Sequence, residues 1–314
     1  MSYSLRALYK VVGVTEQSVS QHRARTKARY EHILRINEQV IAYKNEHPGC
    51  GRRKLYYQIN PDGIGRDSFI QILRQLGFGA NRKRNVFRTT IPGYINYPNY
   101  IEGLLVARIN HVWQSDITWF ILGKEHYYLI FIIDVYSKAI VGHAVSKTMH
   151  ARNNLKCLKK ALRSRKITRQ TRMIHHSDRG SQFSSIAYTS ELLKKNIRIS
   201  MGIKGQDNAY AERINGTIKN EYLHFRTIEN FTSLQRWTKQ AVDHYNEKRI
   251  HDHLPGKMSP NMFEEKLLNL SHQERPKVII YADGNKAIKE DQDLLSSLTK
   301  KGLQDHICPI EVNY

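Results

Sequence analysis

The sequence predicts an α/β protein: a mixed sheet of three antiparallel strands plus two parallel ones, flanked by helices and preceded by small all-α units. Three observations predict it. Apolar residues repeat with helical spacing until about residue 79, and from His111 they gather into strand-like runs. Connections of two or three residues join the first three runs, which forces antiparallel pairing. Helical and strand-like segments then alternate, which brings the last strands in by crossover.

In "LRALYKVVGVTEQSVSQHRART", Leu5, Leu8 and Val12 repeat with helical spacing, Gly13 supplies a turn and Thr15 an N-cap, and Val19 lies on the next helix. Two short helices around such a turn fit a helix-turn-helix over residues 1–29, and they fit a plain αα-hairpin as well. The second helix carries Gln21, Arg23 and Arg25, side chains able to bond bases and phosphates. A longer helix is expected from about Tyr30 to Asn45, ending at "HPGCGRRKL". In "GIGRDSFIQILRQLGF", Arg66 or Asp67 opens a helix, Ile70, Leu73 and Leu76 form its apolar stripe, and Gly77 stops it. Residues 30–90 thus read as a helical segment ending in "NRKRNVFR", whose Arg82, Lys83 and Arg84 are candidate phosphate contacts. The Pro/Gly/Tyr/Asn-rich run before residue 108 predicts an extended linker over 91–107.

The β-rich runs are "HVWQSDITWFIL", "HYYLIFIIDVYS" and "AIVGHAVS", joined by "GKE" and "KA". A helix follows from about Arg152 to Arg163, then the strand "TRMIHHS". A helix from about Ser184 to Lys195, the strand "IRIS", and a helix from about Asp207 to Phe225 complete a region spanning 108–226. This order is that of a ribonuclease H-like domain. A helical closing segment (227–270) and a charged tail (271–314) with one strand-like run, "KVIIYA", come last.

Composition narrows the partners. The 314 residues carry a net charge of +22. It is uneven: 17 Lys+Arg against 7 Asp+Glu in residues 1–107, 21 against 8 in 108–226, and 12 against 13 thereafter. This excess points to a polyanion, and no long apolar span or basic amphipathic anchor favours a membrane. The three cysteines, Cys50, Cys157 and Cys308, form no CxxC pair, which argues against a disulfide framework and fits a reducing cytoplasm. The N-terminus has no apolar core of signal-peptide length.

Three acids stand out. Asp116 sits within an aromatic, β-branched strand, against propensity, on the face of Gln114 and Thr118. Asp178, in "HHSDRGSQFSS", follows the fourth strand, which this order places beside the first; taken alone, an Asp shortly before a Gly is turn chemistry. Glu212 lies in "DNAYAERINGTIKNEYL", whose Ala211, Ile214, Ile218, Tyr222 and Phe225 share a narrow arc, with Asn208, Glu212, Asn215 and Lys219 beside it. Carboxylates brought together repel unless hard cations neutralise them. Mg²⁺, with Mn²⁺ as a substitute, binds carboxylate oxygens and accepts phosphate, and two ions in one site suit in-line displacement at phosphorus.

"WQSDITWF", "HHSDRGSQFSS" and "DNAYAERINGTIKNEYL", in that order, resemble the integrase-type catalytic core of DDE transposases, and most closely the second-frame protein of bacterial insertion sequences of the IS-three type. "HPGCGRRKLYYQINPDGIGRDSFIQILRQLGF" is similar to the helical DNA-binding segment upstream of that core, and "HYNEKRIHDHLPGKMSPNMF" to the family's closing motif; together they span roughly residues 5–265. The resemblance implies Asp116, Asp178 and Glu212 as catalytic, metal-binding residues and Lys219 as the basic residue that contacts element-end DNA. It gives Asn208, Tyr245, Asn246, Arg249 and His251 motif positions of less defined role; Asn208, Asn215, Arg249 and His251 are candidate DNA contacts. Thr118, Ser177, Gly180, Ser181 and Gln182 would shape the site wall. It further implies cleavage of element ends, joining of the 3′-OH to DNA, a homo-oligomer of at least two copies on double-stranded DNA, and a nucleoid-associated cytoplasmic location. A protein from an upstream reading frame is a further candidate partner. Two departures are visible: 33 residues separate Asp178 from Glu212 where the family has thirty-five, and Ile250 replaces a proline. A catalytically degenerate DNA-binding protein and a structure-selective nuclease are the alternatives. Asp134, at a position acidic in the family, reads as structural or as a support to the site rather than a ligand, His175 and His176 point to opposite faces of a strand so that at least one packs or hydrogen-bonds, and His251 and His253 lack the cysteines of a zinc site.

Overall fold

The computed structural model describes residues 5–79, 97–202 and 205–280. Arg82, Lys83 and Arg84 and most of the 271–314 tail lie outside them. The chain divides into two compact units, Met1–Arg82 and Lys83–Tyr314.

In the first unit, helix α1 (Leu5–Val12) turns at Gly13, whose φ is +73°, into α2 (Glu16–Glu46), capped by Thr15 accepting from the Ser18 amide. The predicted turn and cap stand where expected. The second helix, however, does not stop near residue 29. It runs through the next predicted helix as one 31-residue element, because no Gly or Pro interrupts it. Helices α3 (Arg52–Ile59) and α4 (Arg66–Gln75) pack on its second half through Ile36, Val40, Leu55, Phe69 and Leu73. The buried stripe of α4 is Phe69, Ile72 and Leu73, one step from the predicted Ile70, Leu73 and Leu76, and Leu76 is exposed. Both stripes have helical spacing; the edge-on contact of Phe69 with Tyr56 of α3 selects the observed one.

The second unit holds the sheet. Strands β2 (Val112–Leu122), β3 (Glu125–Asp134), β4 (Ile140–Ser146), β5 (Ile174–Ser177) and β6 (Arg198–Met201) lie in the order β4-β3-β2-β5-β6. The first three pair antiparallel, and β5 and β6 join in parallel. This is a ribonuclease H-like sheet. Helices α5 (Ala151–Ser164), α6 (Ser181–Ser184) and α7 (Ile186–Lys194) bury Cys157, Leu158, Phe183 and Leu192 against one set of sheet residues, including Trp113 and Ile132. Helices α8 (Ala209–Thr217) and α9 (Phe231–Glu247) bury Ala211, Ile214 and Val242 against another, including Phe131 and Ile133. Asn230 and Ser233 cap the start of α9 reciprocally. The stripe predicted for α8 is buried from Ala211 to Tyr222, but Phe225 is exposed. The helix widens into a π turn over Ile218–Tyr222 and tightens to a 3₁₀ turn, which buries Leu223 in its place.

The end of the sequence expected as linker is built into this unit. Ile101, Leu104 and Val106 are buried with Val112, Ile174, Phe263 of α10 (Pro260–Leu268) and Ile280. Strand β1 (Leu105–Val106) pairs antiparallel with β7 (Val278–Ile279), inside the run "KVIIYA". No helix of the described residues is long and apolar enough to cross a membrane.

Candidate active site

Asp116 and Asp178 are brought together by strand register. Ser115 of β2 pairs with Ser177 of β5, so each aspartate is the next residue on a neighbouring parallel strand. Gln114, Asp116 and Thr118 alternate toward α8, as the period of two requires, while Ser115 faces the other way and bonds His175. Asp178 keeps its turn role: its Oδ1 accepts the Gly180 amide at 3.0 Å. A Cβ on Gly180 would lie 2.9 Å from that oxygen, so a larger residue there would displace the Asp178 carboxylate.

The Asp116 carboxylate is pinned at both oxygens. Oδ1 accepts the Ile117 amide at 2.9 Å and Oδ2 accepts Asn215 Nδ2 at 2.7 Å. Burial and then the charge of Asp178, with a smaller contribution from Glu212, push its pKa up to about 8. Glu212, in the first turn of α8, is exposed on one side. It is raised by the protein packed around it and then by Asp178. The three acids therefore feel one another, although Glu212 comes from an element far along the chain and the preceding loop is two residues short.

Lys219 lies in the π turn, donates to Thr118 Oγ1 at 3.0 Å and the Trp119 carbonyl at 3.2 Å, and covers the Trp119 ring. Burial lowers its pKa, and Asp116 opposes that shift. Among the described residues, no three His, Cys, Asp or Glu side chains converge closely enough to hold a metal ion as they stand. The donor set nonetheless fits a hard divalent cation. The negative charge of Asp178 raises the pKa of both Asp116 and Glu212, and Asn215 keeps a buried Oδ1 without a hydrogen-bond partner, so acceptors exceed donors.

Other sequence-predicted residues fall elsewhere. Asn208 is buried and donates to the Ser115 carbonyl at 2.9 Å. Arg249 is buried in a two-pronged ion pair with Glu221, both contacts at 3.0 Å, and His251 packs edge-on against Tyr245. Asn246 bonds both backbone groups of Ile140. Gln21, Arg23 and Arg25 are exposed on α2. Asp134 is structural, accepting the Asn110, Tyr136 and Ser137 amides. His175 and His176 both hydrogen-bond inside the core, to Ser115 and Tyr188 and to Ser200 respectively. Sequence reasoning passed over Gln114, which has no extended motif of its own; its signal was only that it shares the face of Asp116.

Residues 107–207 match the integrase core domain family, and residues 194–260 match a second family of the same description. The chain is 34% identical over 281 residues to the transposase InsF for insertion sequence IS3A of Escherichia coli (strain K12), covering 85% of this chain and 96% of that protein. It is 33% identical over 218 residues to the transposase for insertion sequence element IS629 of Shigella sonnei, covering 68% of this chain and 73% of that protein. Among solved structures, the HTLV-2 integrase catalytic core domain in complex with magnesium aligns at 20% identity and a TM-score of 0.40, covering 49% of this chain and 95% of that one. The chain belongs to the IS3-type family of DDE transposases.

Proposed function

We propose that the protein is a DNA transposase that cleaves the ends of its insertion sequence and joins the freed 3′-OH to another DNA duplex. The observation that carries this reading is the acid cluster: the paired strands β2 and β5 set Asp116 beside Asp178, and the charge of Asp178 raises the pKa of both Asp116 and Glu212. Family membership supports it.

In this reading the three carboxylates would hold two Mg²⁺ ions, for which Mn²⁺ could substitute. Bound there, the ions supply positive charge that activates an attacking oxygen and stabilises the leaving one. The chain's own residues do the positioning. The Asn215 and Ile117 bonds fix both Asp116 oxygens, and the turn at Gly180 fixes Asp178. Lys219 is held beside Thr118, two residues along β2 from Asp116, where its ammonium can meet a backbone phosphate. The exposed Arg152, Lys156, Lys160 and Arg163 of α5 extend the phosphate-binding surface, and Gln21, Arg23 and Arg25 of α2 add another. Two ends must meet for joining, so the working form is an oligomer on DNA.

The test uses labelled duplexes bearing the element's ends, with Mg²⁺. Asp116→Asn, Asp178→Asn and Glu212→Gln are each expected to abolish strand cleavage, by a thousandfold or more, while duplex binding survives. Full activity in any of the three overturns the assignment. A wild-type chain that binds ends without nicking them would be the degenerate DNA-binding protein, and cleavage without joining or end preference would be the nuclease.

A further inference from the structure

The start of α8 is held from an unexpected side. Asn208 occupies its N-cap position but makes no side-chain cap; its Nδ2 turns to the Ser115 carbonyl of β2. The amides an N-cap would satisfy belong to Tyr210 and Ala211. Both are accepted by Gln114 Oε1 of β2, at 3.1 and 3.3 Å. Gln114 Nε2 in turn donates to the Asp207 carbonyl at 3.1 Å, on the other side of the helix start. Gln114 is fully buried, two residues before Asp116 on the same strand face, and Ala211 immediately precedes Glu212. Strand and helix have exchanged caps.

We propose that Gln114 is a positioning residue of this site: its side-chain amide caps α8 from the neighbouring strand and sets Glu212 relative to Asp116. Three hydrogen bonds from one buried amide straddle the helix start, so α8 can neither slide along β2 nor unwind its first turn without leaving buried polar groups unpaired. That tether replaces whatever register a longer loop before α8 would have to supply. The importance of Glu212 rests on the function proposed above; the cap itself does not.

The experiment measures amide hydrogen exchange in the metal-free full-length chain by NMR, together with cleavage kinetics in Mg²⁺. Gln114→Met keeps the size and removes the hydrogen bonds, and Gln114→Glu retains an acceptor oxygen for the two amides. For Gln114→Met we expect exchange at Tyr210 and Ala211 to rise at least tenfold while the β2–β3 ladder is unchanged. We expect kcat for cleavage to fall at least tenfold with little change in KM for the duplex. Gln114→Glu should restore protection of both amides and part of kcat. Unchanged protection in Gln114→Met overturns the cap, and restored protection without any recovery of kcat overturns the positioning role. Should Gln114→Met not fold, Gln114→Asn, whose shorter amide stays polar but cannot reach the helix, takes its place. If the wild-type chain cleaves nothing, the proposed function fails while the exchange result still judges the cap.

Discussion

At the scale of single residues, the sheet beside the acids is wired with neutral polar groups that must stay neutral. His175 is fully buried, shares its Nε2 with Ser115 Oγ at 2.8 Å and Tyr188 OH at 3.0 Å, and is depressed by burial to a pKa of about 3. Its folded value lies below the ordinary 6.5, so the unfolded chain binds the proton more tightly. The stability it contributes is complete above pH 6.5 and is lost as pH falls toward 3. His143, depressed to about 4 chiefly by burial, acts in the same direction. Urea unfolding at a series of pH values should therefore show His175→Gln losing stability at pH 7 yet depending less on pH. Its slope between pH 6 and 4 should be shallower by up to about 1.4 kcal/mol per pH unit. A slope equal to wild type would mean that His175 is not held neutral.

This scale also shows what sequence could convey. Asp116 was legible because a carboxylate in an aromatic strand conflicts with its surroundings, and Asp178 because the strand order set it alongside. Gln114 was not, since a glutamine in a strand conflicts with nothing and its partners lie up to 97 residues away. The ion pair of Arg249 was hidden for a related reason: its motif position gave no partner, and only the fold brings Glu221 to it.

At the scale of elements, period-2 runs with short connections made β2 and β4 readable within a residue of their observed ends, and β3 within three, its run having been drawn past Asp134. The α8 stripe was readable up to its π turn, which inserts a residue that a 100° wheel cannot foresee. Helix α5 carries a separate message. From Val135 to Ser177 there is no acidic residue, and the outer face of α5 exposes Arg152, Lys156, Lys160 and Arg163 at helical spacing. Such a stripe is about 16 Å long at 1.5 Å per residue, enough to follow several phosphates of one strand. The triple substitution Lys156→Glu, Lys160→Glu, Arg163→Glu should leave thermal unfolding nearly unchanged. It should reduce the dependence of log affinity on log salt for duplex DNA by roughly 2 to 3, about 0.9 per lost phosphate contact. An unaltered salt slope would remove α5 from the DNA surface.

At the scale of the whole molecule, the excess positive charge belongs to the segments before residue 227, and the remainder of the chain, at 12 basic against 13 acidic residues, adds none. What the sequence concealed is how the second unit closes. The burial of Ile101, Leu104 and Val106 depends on Leu254, Phe263 and Ile280, and no local pattern announces a partner so distant. A fragment of residues 97–280 is expected to unfold cooperatively on heating. A fragment of 108–226 should bind hydrophobic dye and lack a sharp transition, because it strips that cluster from Val112, Val135 and Ile174. A sharp transition in the shorter fragment would show that the cluster is dispensable.

The pairing of β1 with β7 has a mechanical consequence. Val112 and Ile174, the first paired residues of β2 and β5, sit in the cluster that this two-stranded clasp closes, and Asp116 and Asp178 each lie four residues further along the chain from them. A pull or a nick on either flank of the core would thus be felt at the roots of both aspartates, making the borders of the unit levers on its chemistry.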